Sequence, residues 1–334
     1  MVEQIILNST GAMGDMIIAT ALQKRIHDDG KQVGIISNKF FKNLWDFLPG
    51  GQAYLAEEVP EDAQVFSIAK YLRHMPHSSS LPQDSGTGHL AKWMAVEYAS
   101  NGGKGYAVSR DDVRICLTEE EVMAGRDHIY ALSGGKPVVA FAPFSQTKNR
   151  NMSTAMLEDI VGSIRDVAFP LQILGPGEQP LPCFHHTVED GFAPNLRDAA
   201  SRLYAVDAYV GVDSGPLHLV NGAIQGTALH LDGTHPVKTK IIAVVGSSLG
   251  EVVSYNGNRV VSSTGGCAIA PCGAHGYHPV EEYSKAFALP MFPSGKEKDM
   301  SGCITEDYAR LETAPCMLTI NPDEVIAQIK SVLD

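Results

Sequence analysis

Residues 208–218, Ala-Tyr-Val-Gly-Val-Asp-Ser-Gly-Pro-Leu-His, form an apolar strand that ends in a polar turn and runs directly into a helix. The first amides of a helix have no partner within it and carry the positive end of its dipole, so such a turn suits a phosphate. Ser214 can cap the helix or touch the anion, Gly215 lets a ligand approach the backbone, and Pro216 fits a first turn that needs no amide there. Asp213 and His218 add a carboxylate and an imidazole. The same residues would also make an ordinary helix cap, so the companion loops decide between the two readings.

Three other loops carry chemistry. Thr10-Gly-Ala-Met-Gly-Asp15 has glycines at 11 and 14 only. It therefore lacks both the third glycine of a dinucleotide loop and the lysine of a P-loop. What it offers is Gly14 followed by Asp15 at a helix start, where a carboxylate either complements the dipole or serves as a general base. The loop at 143–153 presents Ser145, Lys148 and Arg150, two cations able to neutralise a diphosphate or, equally, a solvated basic turn. Leu174-Gly-Pro-Gly-Glu178 ends another strand, with Gly175 at the turn and Glu178 placed to accept from ribose hydroxyls.

The elements needed to hold these loops are readable from the apolar pattern. In the first part, strands at 4–7, 33–37 and 63–68 alternate with helices at 16–29, 40–48, 90–101 and 119–132. In the second, strands at 138–142, 171–174, 208–212 and 241–245 alternate with helices at 153–167, 196–204 and 217–223. This strand–helix alternation predicts parallel α/β sheets that bind ligands at the carboxyl ends of their strands. Ser-Gly-Gly-Lys-Pro at 133–137 reads as the linker, giving an N-terminal domain at 1–133 and a C-terminal one at 134–320. Asn321-Pro-Asp-Glu caps a last amphipathic helix within 321–334.

Taken together, Gly11-x-x-Gly14-Asp15 with Thr20, Phe141-Ala-Pro-Phe with Lys148, Leu174-Gly-Pro-Gly and Val212-Asp-Ser-Gly-Pro-x-His218 resemble glycosyltransferase family 9, the ADP-heptose heptosyltransferases. The resemblance runs in order along nearly the whole chain. It implies a GT-B fold, two Rossmann-like domains facing a cleft, and a final helix that returns to the first domain. It also implies inverting transfer of heptose or a related sugar from a nucleotide diphosphate sugar, ADP-linked, with Asp15 as general base. Lys148 would hold the diphosphate, Ser214, Gly215 and the amides that follow would cradle its other side, Glu178 would meet the ribose and His218 would line the donor pocket. No divalent metal is needed for the leaving group, because lysine and helix amides can carry its charge. Two positions depart from the family pattern: Ala21 follows Thr20 where proline is usual, and Met152-Ser153 replaces tryptophan-proline.

Four of the six cysteines, Cys267, Cys272, Cys303 and Cys316, fall in a weakly periodic, glycine-containing insertion at 262–317. Four thiolates can bind iron or zinc tetrahedrally, and unligated core cysteine is the plainer alternative. The resemblance extends to autotransporter heptosyltransferases, whose tail holds a cysteine-bound iron. Arg73, His74, His77 and His89 surround a polar loop at 75–88 and supply a local basic patch for an acceptor. That acceptor is a glycan, a protein side chain or a modified nucleobase.

The 334 residues carry a net charge of −12. The charge is spread evenly, with 12 basic against 17 acidic residues up to Ser133 and 14 against 21 beyond it. That balance excludes a general polyanion binder. The sequence has no run of about 18 apolar residues and no basic leader, so a cytoplasmic protein is expected. Two other functions fit fewer of the motifs: a nucleotide-sugar binding module without catalysis, and an NAD-dependent dehydrogenase, which the missing third glycine disfavours.

Overall fold

The computed structural model describes residues 4–9, 13–37, 41–48, 50–68, 89–145, 150–174, 179–184, 196–265, 267 and 313–334. Two wholly parallel sheets follow one another along the chain. The first contains β1 (Gln4–Asn8), β2 (Gln32–Ile36), β3 (Gln52–Tyr54) and β4 (Gln64–Ser67) in the order β3-β2-β1-β4. The second contains β5 (Val138–Ala142), β6 (Phe169–Gln172), β7 (Ala208–Val212), β8 (Lys240–Val245) and β9 (Arg259–Ser262) in the order β6-β5-β7-β8-β9. The chain reverses its direction of winding beside β1 in one sheet and beside β5 in the other, and these are the points at which doubly wound sheets bind ligands.

The helices are α1 (Met13–Asp28), α2 (Leu90–Ser100), α3 (Glu119–Ser133), α4 (Thr154–Ile164), α5 (Leu196–Ala205) and α6 (Gly215–His230), then the short α7 (Gly250–Val253) and α8 (Pro315–Leu318), and α9 (Pro322–Leu333). Strands β5 and β7 are buried at every residue because helices cover both faces of a parallel sheet, which is why they read as unbroken apolar runs. Pro170 sits in β6, at the sheet edge, where one missing amide is tolerated.

Several boundaries differ from expectation for identifiable reasons. The helix expected at 40–48 is a single tight turn, Lys42–Trp45; the chain leaves helical geometry at Asp46, whose ψ is 139°, and Phe47 follows with a left-handed φ of 65°. Helix α6 runs on past 223 to His230. Strands β3 and β9 carry too little apolar sequence to be recognised alone. Helix α3 opens with a reciprocal cap, in which Thr118 Oγ1 accepts from the Glu121 amide (3.2 Å) and the Glu121 carboxylate accepts from the Thr118 amide (2.8 Å). It ends at Gly134, whose left-handed φ of 61° starts the expected linker.

Helix α3 precedes that linker yet packs on α5, so closely that a β-carbon on Gly125 would lie 2.4 Å from the Ser201 carbonyl oxygen. Helix α9 lies on α4 and on β7–β9, burying Val325 and Ile329 in the core of the second sheet. Its main packing is therefore on the second half, where the resemblance had placed it on the first.

Helices α1 and α6 pack against each other and join the two halves. An extended segment at 113–117 is threaded alongside them. Its amides donate to Thr20 Oγ1 on α1 (Arg114, 2.9 Å) and to Gly222 O (Ile115, 2.8 Å) and Thr227 Oγ1 (Leu117, 3.1 Å) on α6. Thr20 is thus a fully buried packing residue that fixes the extended segment on α1.

Candidate active site

The two halves meet where α1 and α6 begin. A β-carbon added to Gly14 would lie 2.9 Å from His218 Cδ2 and 3.6 Å from the Gly215 α-carbon, so only glycine fits there without displacing the imidazole. From the other side, a β-carbon on Gly215 would lie 2.3 Å from the Met13 methyl and 3.7 Å from the Gly14 amide nitrogen. Two helix starts, from opposite sheets, therefore face one point. Both present the positive end of their dipoles to it, which favours a negatively charged group there. Asp15 lies half-buried in the first turn of α1, one residue beyond this contact.

Ser214 precedes α6 in extended conformation and does not cap it. Its hydroxyl instead donates to Val212 O at 3.2 Å, and among the described residues no side chain makes a capping hydrogen bond to the helix start. Pro216 occupies the first turn, as expected. Beneath the turn, Tyr209 is fully buried. Gly211 leaves room for its ring, since a β-carbon there would meet the phenol oxygen at 2.3 Å.

Asp213 is the electrostatic centre of the site and is 4% exposed. Its carboxylate accepts from Ser248 Oγ at 2.8 Å, pairs with Arg150 Nη1 at 3.3 Å, and faces His218 Nε2 at 3.8 Å. Arg150 also donates to the Asp213 carbonyl at 2.7 Å, so its guanidinium braces the turn from below. Ser145, half-buried just beyond β5, donates its amide to Asn151 Oδ1 at 2.7 Å. Ser248 escaped the sequence reading. The signal was present, because Gly246-Ser-Ser248 ends an apolar strand in the same way as the turn after β7.

His89 is not part of an exposed basic patch. It is 4% exposed, its Nδ1 accepts from the Ala91 amide at 3.3 Å as the cap of α2, and its ring meets Tyr255 edge-on with centroids 4.6 Å apart. Burial, reinforced by His218 and Arg110, holds it well below the ordinary histidine range, so it is neutral. Tyr255 in turn bonds His218 Nδ1 at 2.9 Å. Nothing in the sequence marked it.

Lys148, Gly175, Glu178, Arg73, His74, His77, Cys272 and Cys303 lie outside the described residues. Of the two described insertion cysteines, Cys316 is buried and Cys267 half-buried, and both pack against the core of the second sheet. Ser263 and Thr264 bond Thr319 (2.6 and 3.0 Å), so the two ends of the insertion lie side by side. Among the described residues no three His, Cys, Asp or Glu side chains gather as a metal site, and no helix is long and apolar enough to cross a membrane.

Two parallel α/β sheets, with a candidate site where their helix starts meet, define the GT-B class of fold. No protein-family model and no characterised protein matches the sequence significantly. Solved structures do match across 99% of the chain. The iron-containing dodecameric glycosyltransferase TibC of enterotoxigenic E. coli H10407 superposes with a TM-score of 0.64 at 13% identity, over 76% of its own chain. The ADP-heptose lipopolysaccharide heptosyltransferase II of E. coli gives 0.59 at 12% identity over 98% of its chain. The family 9 glycosyltransferase of Veillonella parvula DSM 2008 gives 0.56 at 12% identity over 97% of its chain. The fold neighbours of this chain are thus family 9 glycosyltransferases, as its motifs implied.

Proposed function

We propose that the chain is an inverting glycosyltransferase that moves heptose or a related sugar from an ADP-linked donor to an acceptor hydroxyl. The observation that carries this reading is the contact of Gly14 with Gly215 and His218, which sets a carboxylate-bearing helix start against an uncapped one. Asp15 takes the proton of the acceptor hydroxyl, whose oxygen attacks the anomeric carbon from the face opposite the diphosphate. The bond to the diphosphate oxygen breaks, and the nucleoside diphosphate leaves with the electron pair. Its charge falls on the start of α6 at residues 213–216, with Lys148 beside it and Arg150 holding Asp213 in place. His218 lines the pocket, and Ser145, Gly175 and Glu178 line the nucleoside side. Structures related in fold support the donor class, since TibC has been solved in complex with ADP-D-beta-D-heptose.

For the acceptor, Arg73, His74 and His77 would supply positive charge, while His89 is buried and takes no part. Acidic glycans match such charge best. The reading places the protein in the cytoplasm. Thermal shift against ADP-, GDP-, UDP- and CMP-sugars tests the donor: ADP-sugars raise the melting point in a concentration-dependent way and the others do not. A response to none of them would refute a nucleotide-sugar site.

Cys267, Cys272, Cys303 and Cys316 would hold one iron or zinc ion as four thiolates, stapling an insertion whose apolar residues follow no regular helix or strand period. The side-by-side placement of its two ends supports this, as does the iron in TibC. Elemental analysis of the purified chain is expected to find close to one equivalent of metal, reduced on Cys316→Ser. Absence of both metals would leave the cysteines as core residues.

A further inference from the structure

His218 Nδ1 and the Tyr255 hydroxyl lie 2.9 Å apart, and both residues are almost wholly buried. Burial, with the Asp213 carboxylate nearby, pushes the Tyr255 phenol well above its ordinary range, so it keeps its proton. A buried hydroxyl must place that proton on an acceptor, and Nδ1 is the acceptor in reach. With Nδ1 accepting, the ring's own proton resides on Nε2. The opposite arrangement would set the bare Nε2 lone pair against the Asp213 carboxylate at 3.8 Å, two acceptors facing each other. The Nε2 edge is also the edge beside Gly14, where the two helix starts meet.

Tyr255 is held from the first half of the chain. Arg110 donates to Ser254 O at 3.0 Å and Glu251 O at 2.8 Å, fixing the backbone just before it. His89, also from the first half, packs edge-on against its ring. We propose that Tyr255 is a positioning residue, braced by His89 and Arg110, that keeps the His218 proton on Nε2 and so makes the imidazole a hydrogen-bond donor toward a diphosphate oxygen. The diphosphate part rests on the donor reading above, whereas the proton placement does not.

The test combines two readouts on the full chain, labelled with 15N at its 12 histidines. The signals of His218 are identified by their loss in His218→Gln. In the wild type they should show Nε2 protonated and Nδ1 bare. In Tyr255→Phe, which keeps the ring against His89, they should shift toward a mixture of tautomers, and ADP should bind about tenfold more weakly, as expected for one lost orienting hydrogen bond. A wild type protonated on Nδ1 overturns the proposal, and that result needs no variant to fold. So does a folded Tyr255→Phe protein with unchanged histidine signals and unchanged ADP affinity. If the signals behave as expected but ADP binds neither protein, the donor reading fails while the Tyr255–His218 pairing stands.

Discussion

Asp15→Asn is expected to slow release of ADP from the sugar donor by about 10²–10⁴-fold, the usual contribution of a positioned general base. Donor affinity should change by less than about threefold, because the amide keeps the size and much of the hydrogen bonding of the carboxylate. The residue lies in the first turn of α1, immediately after the glycine that touches His218 and Gly215. A base there acts on the acceptor side of the contact and adds little to holding the diphosphate. ADP release and equilibrium ADP binding, measured on the same preparations, separate the two effects. Equal loss of both would make Asp15 a binding residue, and an unchanged rate would remove it from the chemistry.

The second large effect is on stability. Arg197→Leu is expected to destabilise the fold by about 2–4 kcal/mol, below the range for a fully buried ion pair because the Glu121 side chain is 26% exposed, but with the Cys116 and Asp46 carbonyls also losing their partner. Arg197 extends from α5 with its side chain 6% exposed. It bonds the Glu121 carboxylate (2.6 Å from Nε), the Cys116 carbonyl (2.7 Å) and the Asp46 carbonyl (3.2 Å), and lies over the Phe47 ring at 5.2 Å. It thereby joins α3, the bridging segment and the turn after β2, and holds the chain where Phe47 takes a left-handed φ of 65°.

Burial alone would raise the Glu121 carboxyl, but bonds from Arg197 and Thr118 outweigh it and the group is held below its ordinary value of 4.5. A carboxyl depressed in the folded state stabilises above its unfolded pKa, and that stabilisation is lost as pH falls through the folded value. Wild-type stability should therefore drop as pH falls below about 4.5, and the drop should be shallower in Arg197→Leu. Urea unfolding across that range measures both. A loss below about 1 kcal/mol at neutral pH, as for a surface pair, would contradict the burial argument.

The fold was legible where physics is local. Strands β5 and β7 were bounded to the residue, because buried parallel strands are apolar throughout and end at polar turns. The glycines at 14 and 215 were visible as turn residues, but not as partners. Their mutual contact arises only when α1 and α6 pack through small residues, a long-range fact that no window of sequence contains. Polar residues were misjudged for the same reason. His89 read as surface because its neighbours in sequence are polar, yet the opposite half buries it against Tyr255. The bonds of Arg150 to Asp213, a partner 63 residues away, were likewise invisible in the sequence.

The central claim, displacement of a nucleotide from a sugar by a base opposite the donor cradle, is tested most directly by the configuration of the first product. Proton NMR of the anomeric signal, recorded while the wild-type chain turns over an ADP-sugar, should show the sugar released or transferred with inverted configuration before any mutarotation. Retained configuration, or a donor left intact at enzyme concentrations that saturate its binding, would contradict the account.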